Sequence, residues 1–470
     1  MPSTRNQKPE TFSRRRASQL LALLVLGATH GALAYATPRP QFGQLLGLFA
    51  GAGAAYVWLL HTRLPLRWGL GAALALRLLW LPATPALSDD FYRFRWDGLL
   101  VSHGHSPFAE TPRQLLRTPP PDSAALPLAE LRRLLPRLNS PDYFSVYPPV
   151  CQALYGAAAR VFPTSQTGFL VVVRLALLLA DAGAAALLLW LLPRAGWPAR
   201  RALAYLLHPL VVVETAGNVH MEGVVVSLLL LTGALLARRR LRLAAGALAL
   251  AVATKLLPLL ALPLLARHLS QPGQRPLRRF GLALAGSLAL LFLPLWAGLL
   301  AGHVGQAAQV GHVGRSLDLY FQRFEFNASV FYGLRALGFW LTGYDQVGRL
   351  GPLLGLGAAG LTGGLAGRAG RAGRPPLTAL PQWLLLTLSG YFALATVVHP
   401  WYLVPLVALS CFSSLRYAWA WAGLAVLSYA AYRTPAYAES GPLLALEYGT
   451  VLVCAAADFY QRRRPPCPTA

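Results

Sequence analysis

The stretch LSDDFYRFRWDG, residues 87–98, sets three aspartates and two arginines among aromatic side chains. If it is helical, Asp90, Arg93 and Asp97 stand at i, i+3 and i+7 on one face, with Asp89 four residues before Arg93. A carboxylate beside a fixed guanidinium stays ionised near neutral pH, because a close opposite charge favours its charged form. An ionised carboxylate is what a general base needs to take a proton from a hydroxyl. A salt-bridged helix end explains the same residues without chemistry, so this stretch alone leaves both readings open.

His220 and Glu222 stand two residues apart in GNVHMEG, 217–223. That pair suits a metal, acid–base assistance, a sugar hydroxyl or a structural contact. Lys255, in ATKLLP, is one of only two lysines, the other being Lys8. A lone cation at the end of an apolar run costs about 2.5–3.5 kcal/mol on insertion scales, so it calls for an anionic partner or ligand unless it snorkels to the headgroups. YFQRFEFNAS adds Arg323 and Glu325, VVHPWYLVP adds His399, Trp401 and Tyr402, and YRTPAYAES adds Arg433. The set supplies carboxylates for proton transfer, cations for a phosphate and aromatic rings for a sugar face or an interfacial belt.

The chain that must position these residues has 470 residues, 55% hydrophobic and 13% charged, with mean hydropathy +0.47. Soluble chains carry roughly a quarter charged residues. Apolar runs of about 17–25 residues recur throughout, the length that crosses a hydrocarbon core about 30 Å thick. The net charge of +25 is almost all arginine, gathered in clusters such as Arg14–Arg16, Arg238–Arg240 and Arg462–Arg464 between apolar runs. That is the positive-inside pattern of cytoplasmic loops, so the charge reports topology and excludes a nucleic-acid partner.

Fixing the clusters as cytoplasmic points gives about fourteen candidate spans, from near residues 17–36 to near 442–459. The expectation is an all-α polytopic membrane helix bundle of about 12–14 transmembrane helices. A single transmembrane domain covers 17–460, flanked by a cytoplasmic basic tail at 1–16 and a cytoplasmic tail at 461–470. Residues 85–167 form the main extracytoplasmic loop and carry juxtamembrane helices. Every polar segment named above then falls on the outer face, where six loops look like one site.

Two apolar stretches, 147–163 and 328–342, are left out of the count, because either as a span would put later arginine clusters on the wrong side. They are expected to lie along the outer surface. In ALPLAELRRLLPRL, Leu128, Leu131, Leu135 and Leu138 recur at helical spacing with Arg132, Arg133 and Arg137 off the stripe. This suits a helix in the headgroup plane or a loop helix packed on the protein. Arg174 and Asp181, seven apart inside one span, are expected to form a buried structural pair. The basic start and the apolar run after it are read as a retained first helix. Cys151, Cys411, Cys454 and Cys467 lack metal-ligand spacing. No Walker loop or G-x-S-x-G elbow occurs, so any group transfer needs a substrate already activated in the membrane.

DFYRFRWDG followed by GHSPFAETP resembles the first outer loop of bacterial polyprenyl-phosphate-mannose-dependent glycosyltransferases of the GT-C superfamily. VYPPVCQALY, GNVHMEG, TKLLPLLALP, FEFNASVFY and HPWYLVP resemble later blocks of that family in the same order, so the likeness spans most of residues 85–460. Ser106 departs from the asparagine that usually precedes the proline, which leaves the role of that position open. The resemblance implies an integral, multi-pass enzyme of the bacterial cytoplasmic membrane with its site facing outward. It would move a sugar, mannose by default, from a polyprenyl-phosphate donor to a hydroxyl on a glycan or glycolipid acceptor. Asp90 matches the family's acidic residue and is the expected base, with Asp89 the near alternative. Arg93 would order the loop or touch the donor phosphate, Lys255 would face phosphate, and the role of His399 is open. Tyr92, Asp97, His220, Glu222, Arg323 and Tyr402 complete the expected substrate-binding set. A divalent cation, Mg or Mn, is the one cofactor considered, beside the cations, for the departing phosphate. The rival class is a transporter or lipid flippase, which inverted repeats and mid-span charges would mark; no repeat is visible and the charges lie at outer ends.

Overall fold

The computed structural model describes residues 9–118, 126–270, 273–295, 311–312, 314–316, 324–371, 373–434 and 436–463. Among these residues the regular elements are all helical, with one β-bridge joining Phe326 to Val397. Six helices are long and apolar enough to cross a membrane: Arg14–Tyr35, Phe42–His61, Gln166–Arg194, Val347–Ala369, Leu377–Leu394 and Gly441–Gln461. The runs near 201–216 and 223–237, read from sequence as two spans, contain the halves of one bent pair. Pro209–Gly217 and Glu222–Ala237 meet at 109°, and counted together they make a seventh span. Other runs become shorter apolar helices, Leu241–Thr254, Leu257–Leu269 and Pro400–Ser410. Prolines at 258, 263, 400 and 405 remove backbone donors and stop a continuous helix there.

The polarity of the bundle is that of a protein dissolved in lipid. Leu24, Leu179 and Leu452 are 71%, 74% and 70% exposed, whereas Arg77, Arg174, Asp181 and Glu214 are buried. In a hydrocarbon solvent the charged groups must find partners inside. Asp181 accepts from Arg77 Nε at 2.6 Å. Arg174 does not pair with Asp181 as the sequence suggested. Its guanidinium instead donates to the carbonyls of Leu81, Ala83, Ala216 and Gly217, because the bend after Gly217 leaves carbonyls there without helical donors.

The first loop folds on its own core of Phe91, Phe94, Trp96, Tyr155 and Phe169. The helix Asp90–Ser102 crosses Pro149–Val161 at glycines: a Cβ on Gly98 would lie under 3.0 Å from the Tyr155 carbonyl oxygen, and one on Gly156 equally close to Val101. The stretch 147–163 is therefore a packed loop helix, with Cys151, Tyr155, Ala158 and Ala159 buried. Leu131 and Leu138 of the arginine-flanked stripe are buried in the same core, which decides for a loop helix packed on the protein. The stretch 328–342 forms Val330–Thr342, with Phe331 buried and Phe339, Trp340 and Leu341 exposed.

Candidate active site

Asp90 opens the first-loop helix, where the helix dipole favours a negative side chain. Asn139 Nδ2 donates to its Oδ1 at 2.7 Å, and His220 Nε2 stands 3.6 Å from its Oδ2. Burial pushes the carboxyl up, but the His220 contact and the Asn139 bond outweigh it and leave the pKa below the ordinary aspartate value. The group keeps 22% of its side-chain surface open. It is an ionised carboxylate with room for one more partner.

The neighbours of Asp90 separate into those at the site and those that build it. Arg93 turns away and ion-pairs with Asp97 at 2.8 Å, both buried. Its Nη1 donates to the carbonyls of Ser140 and Tyr143, which fixes the segment that brings Asn139 to Asp90. Asp97 accepts from Ser145 and Gln152. Of the two roles offered for Arg93, the geometry is that of ordering the loop, and Asp97 is fully buried, away from any substrate. Asp89 is held by Arg39 at 2.6 Å, and Arg39 also lies 4.7 Å from the Tyr432 ring. Tyr92 stacks beside Phe91, with the Arg137 guanidinium 5.6 Å above it.

The remaining groups arrive from distant parts of the chain. His220, in the break of the bent pair, stacks on Trp401 at 3.9 Å, and His399 stacks on the same Trp401 ring at 4.3 Å. Burial pushes His399 down to about 3, so it is neutral at pH 7, and it senses the charges of Asp90, His220 and Lys255. Lys255, at the end of Leu241–Thr254, ion-pairs with the buried Glu222 and sits 5.1 Å over Tyr402. The anionic partner that a lone lysine demands is therefore Glu222.

Three buried polar atoms here, His220 Nε2, Glu222 Oε2 and His399 Nδ1, lack a hydrogen-bond partner. Native interiors leave few such atoms; here His220 Nε2 stands 3.6 Å from Asp90, and Glu222 and His399 both interact with His220, so the three are open to a polar ligand. Arg323 lies outside the described residues. Glu325 pairs with Arg335, and Arg433 bonds the Ala430 carbonyl and covers Phe42; neither joins Asp90. Among the described residues no three His, Cys, Asp or Glu side chains converge as metal donors.

Sequence reasoning missed Glu214, Asn139 and Arg39. Glu214 carried a signal: it is a single acid in the apolar run LLHPLVVVETAG, and an ionisable residue there is functional by default. Asn139 and Arg39 carried none, since their partners lie about fifty residues away.

No curated protein matches the chain. A family model described as alpha-(1->6)-mannopyranosyltransferase, N-terminal domain, matches residues 19–271. That is more than half of the 470 residues, and it holds Asp90, His220, Glu222 and Lys255. The chain is thus a membrane glycosyltransferase that belongs to the alpha-(1->6)-mannopyranosyltransferase family.

Proposed function

We propose that the protein is a GT-C-type enzyme that moves mannose from a polyprenyl-phosphate donor to a glycan or glycolipid hydroxyl at the outer face of the bacterial cytoplasmic membrane, with Asp90 as general base. The observation that carries this reading is the Asp90 carboxylate itself, ionised, partly open and faced by the unpartnered His220 Nε2. The acceptor oxygen gives its proton to Asp90 as it attacks the anomeric carbon. The bond from that carbon to the phosphate oxygen breaks, and the lipid phosphate leaves with the electron pair. Lys255 is the cation nearest in chemistry to that task. General-base assistance supplies about 10²–10⁴ in rate, and a cation on the leaving group can match it.

Two features support the donor and the sidedness. An apolar cavity lined by Val226, Leu229 and Gly233 of Glu222–Ala237, and by Pro405, Leu409 and Phe412, begins one turn beyond Glu222 and suits an isoprenoid chain. Gln166–Arg194, 29 residues long, is about 44 Å from end to end. Its start packs on the first-loop core through Phe169 and Leu170. At its far end Arg194 and Arg238 share Trp190, and Arg200 neighbours Arg63 and Arg15. The arginine clusters thus gather away from Asp90, as an outward-facing site requires.

The test is Asp90→Asn in proteoliposomes with a polyprenyl-phosphate mannose donor. Insertion and donor binding are expected to persist, with transfer down at least about 100-fold and Asp89→Asn much milder. Full transfer by Asp90→Asn would overturn the assignment.

A further inference from the structure

Glu214 is fully buried and lies on a π-helical turn, Val213–Gly217, at the end of the first half of the bent pair. Such turns widen the helix and recur where side chains must be re-aimed for function. Three donors converge on its carboxylate: the Tyr429 hydroxyl on Oε1, and Asn218 Nδ2 at 3.0 Å and His220 Nδ1 at 2.9 Å on Oε2. The backbone folds back as well, the His220 N–H donating to the Glu214 carbonyl at 3.0 Å. Between these residues Val219 adopts φ 58°. A β-branched residue in the left-handed region is a true outlier, and such strain persists where the surroundings hold it for a purpose.

The consequence falls on His220. With Nδ1 given to one carboxylate and Nε2 facing a second at 3.6 Å, a neutral ring would present a lone pair to Asp90. At 3.6 Å that is repulsion and not a hydrogen bond, and the imidazolium, which carries a proton on each nitrogen, turns it into attraction. The ring cannot swing away, because Trp401 stacks on its face. We propose that Glu214 is a positioning residue of the transfer reaction, which, anchored by Tyr429 and Asn218, holds the His220 imidazolium against Asp90. This rests on Asp90 being the base. Glu214 acts through His220 and touches neither sugar.

The cluster sets the pH dependence together. His220 is faced by Asp90 from the first-loop helix, by Glu214 and Glu222 from the bent pair, and by His399 from the segment before Pro400. Lys255 faces His399, and Tyr432 faces Asp90 and Arg39. Removing the Glu214 charge loosens the proton on His220, so the ring turns neutral, and Asp90 loses its cationic neighbour, at lower pH than in the wild type.

The experiment uses the full chain in proteoliposomes with polyprenyl-phosphate mannose and a glycan acceptor. Glu214→Gln is expected to lower kcat about 10- to 100-fold, leave donor KM within about twofold, and move the basic limb of the pH–rate profile to lower pH. Tyr429→Phe is expected to do the same more weakly, and it decides the matter if Glu214→Gln fails to insert. A wild-type kcat and basic limb in both variants, alongside an inactive Asp90→Asn, would sink the relay and spare the base. Full activity in Asp90→Asn would instead remove the base, and the relay with it. A rise in donor KM with a fall in kcat and an unmoved basic limb would show Glu214 to be structural and overturn the proposal.

Discussion

At the residue scale, the site is a set of charges each answered by another. Lys255 and Glu222 show what that costs. Glu222 is 2% exposed and Lys255 26%, so removing the lysine leaves a buried carboxylate with no counter-charge. Breaking such a pair is expensive, whereas replacing both partners by apolar groups of similar volume is often neutral. Lys255→Met alone is expected to destabilise by roughly 2–3 kcal/mol, after discounting for partial exposure. The double change Lys255→Met with Glu222→Leu should recover most of that loss in a detergent thermal melt while transfer stays absent. Restored activity in the double variant would remove Lys255 from the phosphate role. Asp90 differs in kind from Asp97 and Asp89: its hydrogen-bond partner is the neutral amide of Asn139, whereas theirs are the guanidinium groups of Arg93 and Arg39.

At the element scale, the first loop works as a rigid bracket. Arg93 ties the helix Asp90–Ser102 to the carbonyls of Ser140 and Tyr143, and the glycine crossing at Gly98 ties it to Pro149–Val161. A methyl at that crossing meets backbone, which cannot rotate aside as a side chain can. Gly98→Ala is therefore expected to cost about 1–3 kcal/mol, the range for overpacking. Because the crossing holds Asp90 against Asn139 and His220, it should also depress kcat more than donor KM. An unchanged melting temperature and kcat would show that the two helices part without consequence. The bent pair does the complementary task from the other side: its 109° break exposes backbone carbonyls to Arg174 and frees residues 218–221 to reach the site.

At the scale of the whole molecule, the arginine clusters and the Asp90 site occupy opposite ends of Gln166–Arg194. That polarity predicts labelling. Arg117 and Arg239 are exposed, the first in the loop that carries Asp90 and the second in an arginine cluster. With Cys454 and Cys467 replaced by serine, Arg117→Cys should react with a membrane-impermeant maleimide in intact spheroplasts, and Arg239→Cys only after permeabilisation. The reverse pattern would put Asp90 in the cytoplasm and end the reading of an outward-facing site.

The sequence by itself determined the class of molecule. Long apolar runs, arginine placement and a low charged fraction are properties of composition and spacing, so they survive without coordinates, and they gave an all-helical membrane protein with its chemistry in the loops. The motif residues Asp90, His220, Glu222, Lys255, His399 and Tyr402 were also legible, because charge and histidine beside apolar runs stand out against their surroundings. What the chain could not reveal was partnership. Asp90, Arg93 and Asp97 share a helix face by spacing, yet Arg93 binds Asp97 and Asp89 binds Arg39, since which of several nearby opposite charges pairs is settled by packing at distances of a few ångströms. The count of straight spans likewise fell to tertiary structure, because a hydrophobic run fixes only that a segment is buried in lipid or protein. Whether it runs straight or breaks, as at Gly217, depends on whether other groups, here Arg174, can satisfy the backbone that the break leaves open.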